Sequence, residues 1–95
     1  MKKTYISGKI TGMEAEAKVL FSAAADELAA MGHRTVNPLE LPHEHDGNWP
    51  SYMKEDVAAL LKCNTIYMLK NWRHSRGATL EHYLATQLNI NIIYQ

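Results

Sequence analysis

An α/β fold, a parallel sheet of about four strands flanked by three helices, is predicted by three features of the sequence. Short segments rich in β-branched and aromatic residues alternate with stretches of helical periodicity along the whole chain, the order that builds parallel sheets through right-handed crossovers. The segment Thr65 to Leu69 is apolar almost throughout, as in a strand buried on both faces. The chain has 95 residues, 46% of them hydrophobic, enough for one core and not two, so residues 1–95 are expected to form a single domain.

Lys3 to Ser7 reads as the first strand, ended by a loop that runs from Gly8 to Gly12. From Met13 the pattern turns helical: Ala17, Phe21, Ala24, Leu28 and Met31 recur at spacings of four and three, and Gly32 takes the place of a C-cap glycine. His33 to Val36 is a second strand, stopped by Asn37-Pro38. Leu39 to Trp49, with His43, His45 and Gly47, reads as a loop. Pro50 or Ser51 opens a second helix with apolar positions Met53, Val57, Leu60 and Leu61.

After the third strand, Ser75 is placed to cap a helix from about Arg76 to Leu88, and Asn91 to Tyr94 is the fourth strand. With strand order 2-1-3-4 this is a flavodoxin-like, Rossmann-like sheet, and its ligand crevice lies at the carboxyl ends of strands one and three. The 8–12 and 70–77 loops are expected to face each other there. They would bring Ser7, Gly8, Lys9 and Ile10 from one side, and Trp72, Ser75, Arg76 and Gly77 from the other, to a bound substrate.

Ten basic and ten acidic side chains leave no net charge, which argues against nucleic acid as a partner held by counterion release. The local cluster of Lys70, Arg73, His74 and Arg76 suits a small anion better. Cys63 is the only cysteine, so it forms no internal disulfide or CxxC pair and is read as packing. The start lacks the apolar run of a signal peptide, and no stretch of ~18 apolar residues exists, so a cytoplasmic protein with no membrane partner is expected. A core this small gains from a subunit interface; a homo-oligomer, dimer or higher, is expected.

Two acids fall on stripes that should face the sheet. Glu81 lies three residues from both Ala78 and Leu84, and Asp56 lies between Met53 and Leu60. A carboxylate there is costly unless it is paired, protonated, opens into a pocket, or sits at the stripe's edge and reaches solvent. Ser75-Arg76-Gly77-Ala78 is either an ordinary helix start or a phosphate site built on free N–H groups at the helix's positive end. His43-Glu44-His45-Asp46 offers two histidines without a third ligand at a recognised spacing and reads as turn chemistry, so no metal and no cofactor are expected. Trp49 is placed as a lid stacking on a base, His74 within reach of a phosphate, and His82 in solvent.

The chain resembles the nucleoside 2-deoxyribosyltransferase-like superfamily, and most of all its small DUF4406-like branch, common in bacteria and phages. The resemblance rests on four stretches in order: Tyr5-Ile6-Ser7-Gly8-Lys9-Ile10-Thr11-Gly12, Trp49 to Asp56, Cys63 to Leu69, and Trp72 to Glu81. It implies Glu81 as a nucleophile, Asp56 as the acid toward the leaving base or the group that orients the nucleophile, and Tyr5 as the tyrosine that touches it. Six residues before Glu81, transferases acting on nucleosides carry an aspartate and relatives that hydrolyse nucleoside 5′-monophosphates carry a serine. Ser75 therefore implies a nucleotide, because a hydroxyl donates to a phosphate that a carboxylate would repel.

Lys9 stands where the branch has proline, and Asn64 where aspartate is common. With 14 residues after Glu81, the chain is expected to lack the segment that better-known members lend to a neighbouring subunit's site. The implied activity is hydrolysis or deoxyribosyl transfer at the N-glycosidic bond of a (deoxy)nucleoside 5′-monophosphate. Two carboxyl groups about 5 Å apart would divide the work of attack and protonation. The alternative is a non-catalytic protein that binds or sequesters a nucleotide.

Overall fold

The computed structural model describes residues 2–95. Strands β1 (Lys3–Ser7), β2 (Arg34–Val36), β3 (Thr65–Met68) and β4 (Asn91–Tyr94) form one parallel sheet in the order β2-β1-β3-β4. Helices α1 (Glu14–Ala30), α2 (Trp49–Leu60) and α3 (Arg76–Gln87) make the crossovers. The order reverses between β1 and β3, which leaves a crevice at their carboxyl ends, as expected for a flavodoxin-like sheet.

Alternation along the strands divides the core in two. Ile6, Tyr67 and Leu69 pack with Ala17, Phe21, Ala24 and Leu28 of α1 on one face. Tyr5, Ile66 and Met68 pack with Leu60 of α2 and Ala78 and Ala85 of α3 on the other. Cys63 is buried in this second cluster. All four residues of β3 are buried, while the edge strand β4 leaves Asn91 and Tyr94 exposed.

Met31 and Leu61, read from periodicity as members of the apolar stripes, and Leu88, read as the end of the third helix, are exposed. Each is the residue just past the last turn of its helix, where the backbone leaves the 3.6-residue period. At the end of α1, Gly32 (φ +89°) lets the His33 N–H donate to the Leu28 carbonyl and its own N–H donate to Ala29, which turns Met31 outward. Two short 3-10 turns, Pro38–Glu40 and Trp72–His74, interrupt segments read as irregular. The first is capped by Asn37, whose Oδ1 accepts from the Leu39 N–H at 3.0 Å. Helix α2 opens at Trp49, one residue before Pro50. Among the described residues no helix is long and apolar enough to cross a membrane.

Candidate active site

A cavity of about 440 Å³ opens beside the carboxyl end of β1, walled by the loop after β1, α1, the 38–43 segment, α2 and the start of α3. Its size is within the roughly 300–1,000 Å³ of small-molecule sites. Tyr5, Asp56 and Glu81 all line it.

Glu81 projects from α3 toward β1 and is only 4% exposed. Tyr5 and Ser7 lie two residues apart on β1 and therefore share the face that α3 covers. The Tyr5 hydroxyl donates to Glu81 Oε2 at 2.6 Å and the Ser7 hydroxyl donates to Oε1 at 2.7 Å. Burial pushes the Glu81 pKa up to about 7; the two hydroxyl donors pull it down, and the Asp56 charge adds to the rise. Burial likewise drives the Tyr5 phenol well above its ordinary range, with the Glu81 charge adding to it, so the phenol remains a donor. Glu81 is thus a carboxyl group poised near neutrality with both oxygens fixed in place.

Asp56 enters the cavity from α2 in a different condition. Its Oδ1 is buried with no hydrogen-bond partner, and the group on that side is His43, whose Nε2 lies 3.6 Å away. Burial pushes the Asp56 pKa up to about 6, with His43 opposing the rise and Glu55 adding to it. His43 itself makes two contacts with oxygens, Nδ1 to Glu55 Oε1 at 2.6 Å and Nε2 to the Pro38 carbonyl at 3.2 Å. Burial works against its cation, but the bonds to Glu55 and Pro38 outweigh it and raise the His43 pKa above the usual value.

The start of α3 completes the wall. Ser75 Oγ accepts from the Ala78 N–H at 3.1 Å, which caps the helix and leaves the hydroxyl proton free to donate. Behind it, a Cβ at Gly77 would come within 2.9 Å of Met53 Sδ, so glycine there permits the close approach of α2 and α3. Gly8 plays the same part across the cavity, where a Cβ would meet Leu69 Cδ1 at 2.6 Å. The Arg76 guanidinium stacks over Trp49, 3.8 Å from the ring centroid, and joins the first turns of α3 and α2.

His43, His45 and Glu55 are close enough for one ligand atom from each to lie within 4.8 Å of the others. The hydrogen bonds argue against a cation among them. The Gly47 N–H donates to His45 Nδ1 at 2.9 Å, so the ring proton resides on Nε2, the atom that faces Glu55 Oε1 at 3.4 Å. A metal ligand needs a free lone pair at that nitrogen.

The family model described as a domain of unknown function, DUF4406, matches residues 2–94. The chain belongs to this family. Among solved structures, the 2-deoxyribosyltransferase of the psychrotolerant bacterium Bacillus psychrosaccharolyticus is similar at a TM-score of 0.75 and 19% identity, over 97% of this chain and 70% of that one. A conserved protein from Enterococcus faecalis V583 is similar at a TM-score of 0.72 and 15% identity, over 99% of this chain and 62% of that one. The chain thus spans about two thirds of the length of these structural relatives, and the likeness is one of fold. No curated protein matches the sequence.

In this DUF4406 chain, the sequence-expected residues divide between the cavity and its surroundings. Tyr5, Gly8, Ile10, Asp56, Ser75 and Glu81 line it, Ser7 reaches it through Glu81, and Gly77 lies behind it against Met53. The 70–77 loop does not form the opposite wall as expected; Ser75 alone of that loop lines the cavity, and α2 with the 38–43 segment takes its place. Trp72 stacks on His82 with ring centroids 4.1 Å apart, and Arg73 lies over Trp72. His82, expected in solvent, is held there and shares a 2.7 Å hydrogen bond with the Tyr94 hydroxyl. Lys70, Arg73 and Arg76, expected around an anion, are off the wall, as is Lys9, expected against the substrate, and the lysine that lines it is Lys18 of α1. Reading the sequence missed Lys18 and His43. Lys18 stands three residues before Phe21 on the flank of the α1 stripe, a legible signal; His43 lies in a segment without period.

Proposed function

We propose that the chain cleaves the N-glycosidic bond of a (deoxy)nucleoside 5′-monophosphate, with Glu81 as nucleophile and Asp56 as proton donor to the leaving base. One observation carries this reading: a buried carboxyl group with both oxygens held by hydroxyls shares a cavity with a second buried carboxyl whose Oδ1 has no partner. Two such groups are the equipment for displacement at a sugar C1′ through an oxocarbenium-like state. The Glu81 carboxylate attacks C1′, the bond's electron pair leaves with the base nitrogen, and that nitrogen takes the Asp56 proton. Tyr5 and Ser7 hold the attacking carboxylate. Water, or a second base, then resolves the glycosyl ester.

The 5′-phosphate is assigned to the start of α3. Ser75 keeps a hydroxyl proton for it, the first-turn N–H groups lack helical partners, and Lys18 supplies charge on the same cavity. The likeness in fold to a 2-deoxyribosyltransferase supports a nucleoside-transferase-like chemistry. Incubation with a panel of ribo- and deoxyribonucleotides and their nucleosides, with chromatography of released base, tests the reading. Release from monophosphates, lost in Glu81→Ala, is the expected result. No release from any of them, with tight binding that survives Glu81→Ala, overturns catalysis and makes the protein a nucleotide binder.

A further inference from the structure

The reaction just proposed needs a proton at Asp56 and says nothing of its source. The structure places an imidazole there. His43 Nε2 faces Asp56 Oδ1 at 3.6 Å and the Pro38 carbonyl at 3.2 Å. A carbonyl oxygen accepts and never donates, so Nε2 carries a proton. Nδ1 lies 2.6 Å from a Glu55 carboxylate oxygen, the short distance of a charge-assisted bond, and carries one too. The ring is therefore held doubly protonated, its plane fixed by packing against Tyr52 at a centroid distance of 4.9 Å. His43 lines the same cavity as Asp56 and Glu81.

We propose that the proton given to the leaving base is held by the Asp56–His43 pair, with His43 as the group that reloads Asp56 and Glu55 as the positioning residue of the ring. This rests on the reading of Asp56 given above. When the C1′–N bond breaks, its electron pair goes to the base nitrogen, which takes the proton of Asp56. The Nε2 proton of His43 passes to Asp56, and the neutral ring keeps Nδ1–H on Glu55. Its bare Nε2 then faces the Pro38 carbonyl, lone pair to lone pair, and takes a proton from water once the base has left.

Burial raises the Asp56 pKa only to about 6, with the neighbouring His43 opposing the rise, so at pH 7 the carboxyl is mostly ionised. The proton nearest to it is the one that the Pro38 carbonyl fixes on His43 Nε2. The other titratable groups facing the pair are Glu55 of α2 and His45 of the preceding loop, with Glu81 of α3 and Tyr5 of β1 across the cavity. Tyr52 packs on the ring, and Glu14 and Lys18 stand on the α1 wall.

The test compares full-length wild type, His43→Gln and Glu55→Gln on two substrates: a natural nucleoside 5′-monophosphate, and a p-nitrophenyl glycoside 5′-phosphate whose leaving group departs as an anion without a proton. His43→Gln is expected to lose on the order of 10²-fold in kcat on the nucleotide at pH 7.5, and at least ~30-fold less on the nitrophenyl substrate. On the nucleotide its loss should grow as pH rises from 6 to 8. Glu55→Gln, at a position open to solvent on one side, should show the same pattern at roughly a tenth of the size. Equal losses on both substrates, or no loss on either, overturn the role of His43 and leave the function standing. Failure of the wild type on both substrates overturns the function, and this inference with it.

Discussion

Glu81 and Asp56 enter one cavity from neighbouring helices, yet Glu81 has each oxygen held by a hydroxyl of β1 while Asp56 Oδ1 is buried without a partner beside an imidazole. Both are pushed up by burial, to about 7 for Glu81 and about 6 for Asp56, so the carboxyl proposed to attack is the harder of the two to ionise and burial by itself does not divide the roles. The difference is in what opposes the burial. Hydroxyl donors on a central strand fix an anion in position, as an attacking group requires. A mobile proton on a neighbouring ring leaves the second carboxyl able to gain and lose one, as an acid requires. Similar burial thus suits the two carboxyls to the two proposed roles only through their different partners.

The comparison breaks most directly at Glu81. Glu81→Gln should reduce base release on the order of 10⁴-fold or more on any substrate, since the amide cannot attack C1′, as read by the amount of free base over time. Asp56→Asn should reduce it ~10²–10⁴-fold on natural nucleotides and much less on a leaving group that needs no proton. If the two variants show the same substrate dependence, the division of roles fails.

Stability sharpens the contrast. The Glu81 pKa is raised on folding, so its protonated form stabilises the native state below the unfolded value near 4.5, and that stabilisation is lost as pH rises through about 7. Glu81→Gln has no charge to bury. In urea melts the variant should be more stable than wild type at pH 8 by about 2–3 kcal/mol, with the gap closing by pH 4.5. A gap independent of pH would mean that folding does not shift the Glu81 pKa.

Tyr5→Phe removes one of the two fixing donors. A hydrogen bond to a charged group is worth about 1.5–3 kcal/mol, so base release should fall ten- to a hundred-fold. The rise of activity with pH, which follows ionisation of Glu81, should also move to higher pH in a pH–kcat profile. The smallest effect is expected at Trp72, which packs on His82 away from the cavity wall. Trp72→Ala should change KM less than about twofold while lowering stability by about 2 kcal/mol, the loss of a half-buried aromatic.

Much of this was legible from spacing. The order of elements, the capping serine at Ser75 and the glycine at Gly32 are local signals, and each is found where its pattern put it. Glu81 and Asp56 stood out because a charge interrupts an apolar stripe. Ser7 was expected against the substrate, whereas its hydroxyl is taken by Glu81; its place two residues after Tyr5 on a strand, which puts both hydroxyls on one face, was the legible signal. The opposite wall of the cavity was not legible. The 38–43 segment has no period, and nothing in the sequence says that His43 turns back to α2 rather than outward. The cations of the 70–76 stretch misled because local charge density does not say which way a loop points.

The sequence by itself determined the parallel α/β sheet, the strand that carries Tyr5 and Ser7, and the two acids on core-facing stripes, because hydrophobic period and capping chemistry act over a few residues. Only the tertiary structure decided that α2, α3 and β1 bring those acids to one cavity, and that His43 turns to face one of them. Those contacts join residues far apart in the chain, and their geometry is set by how helices pack across a twisted sheet, which no local pattern encodes.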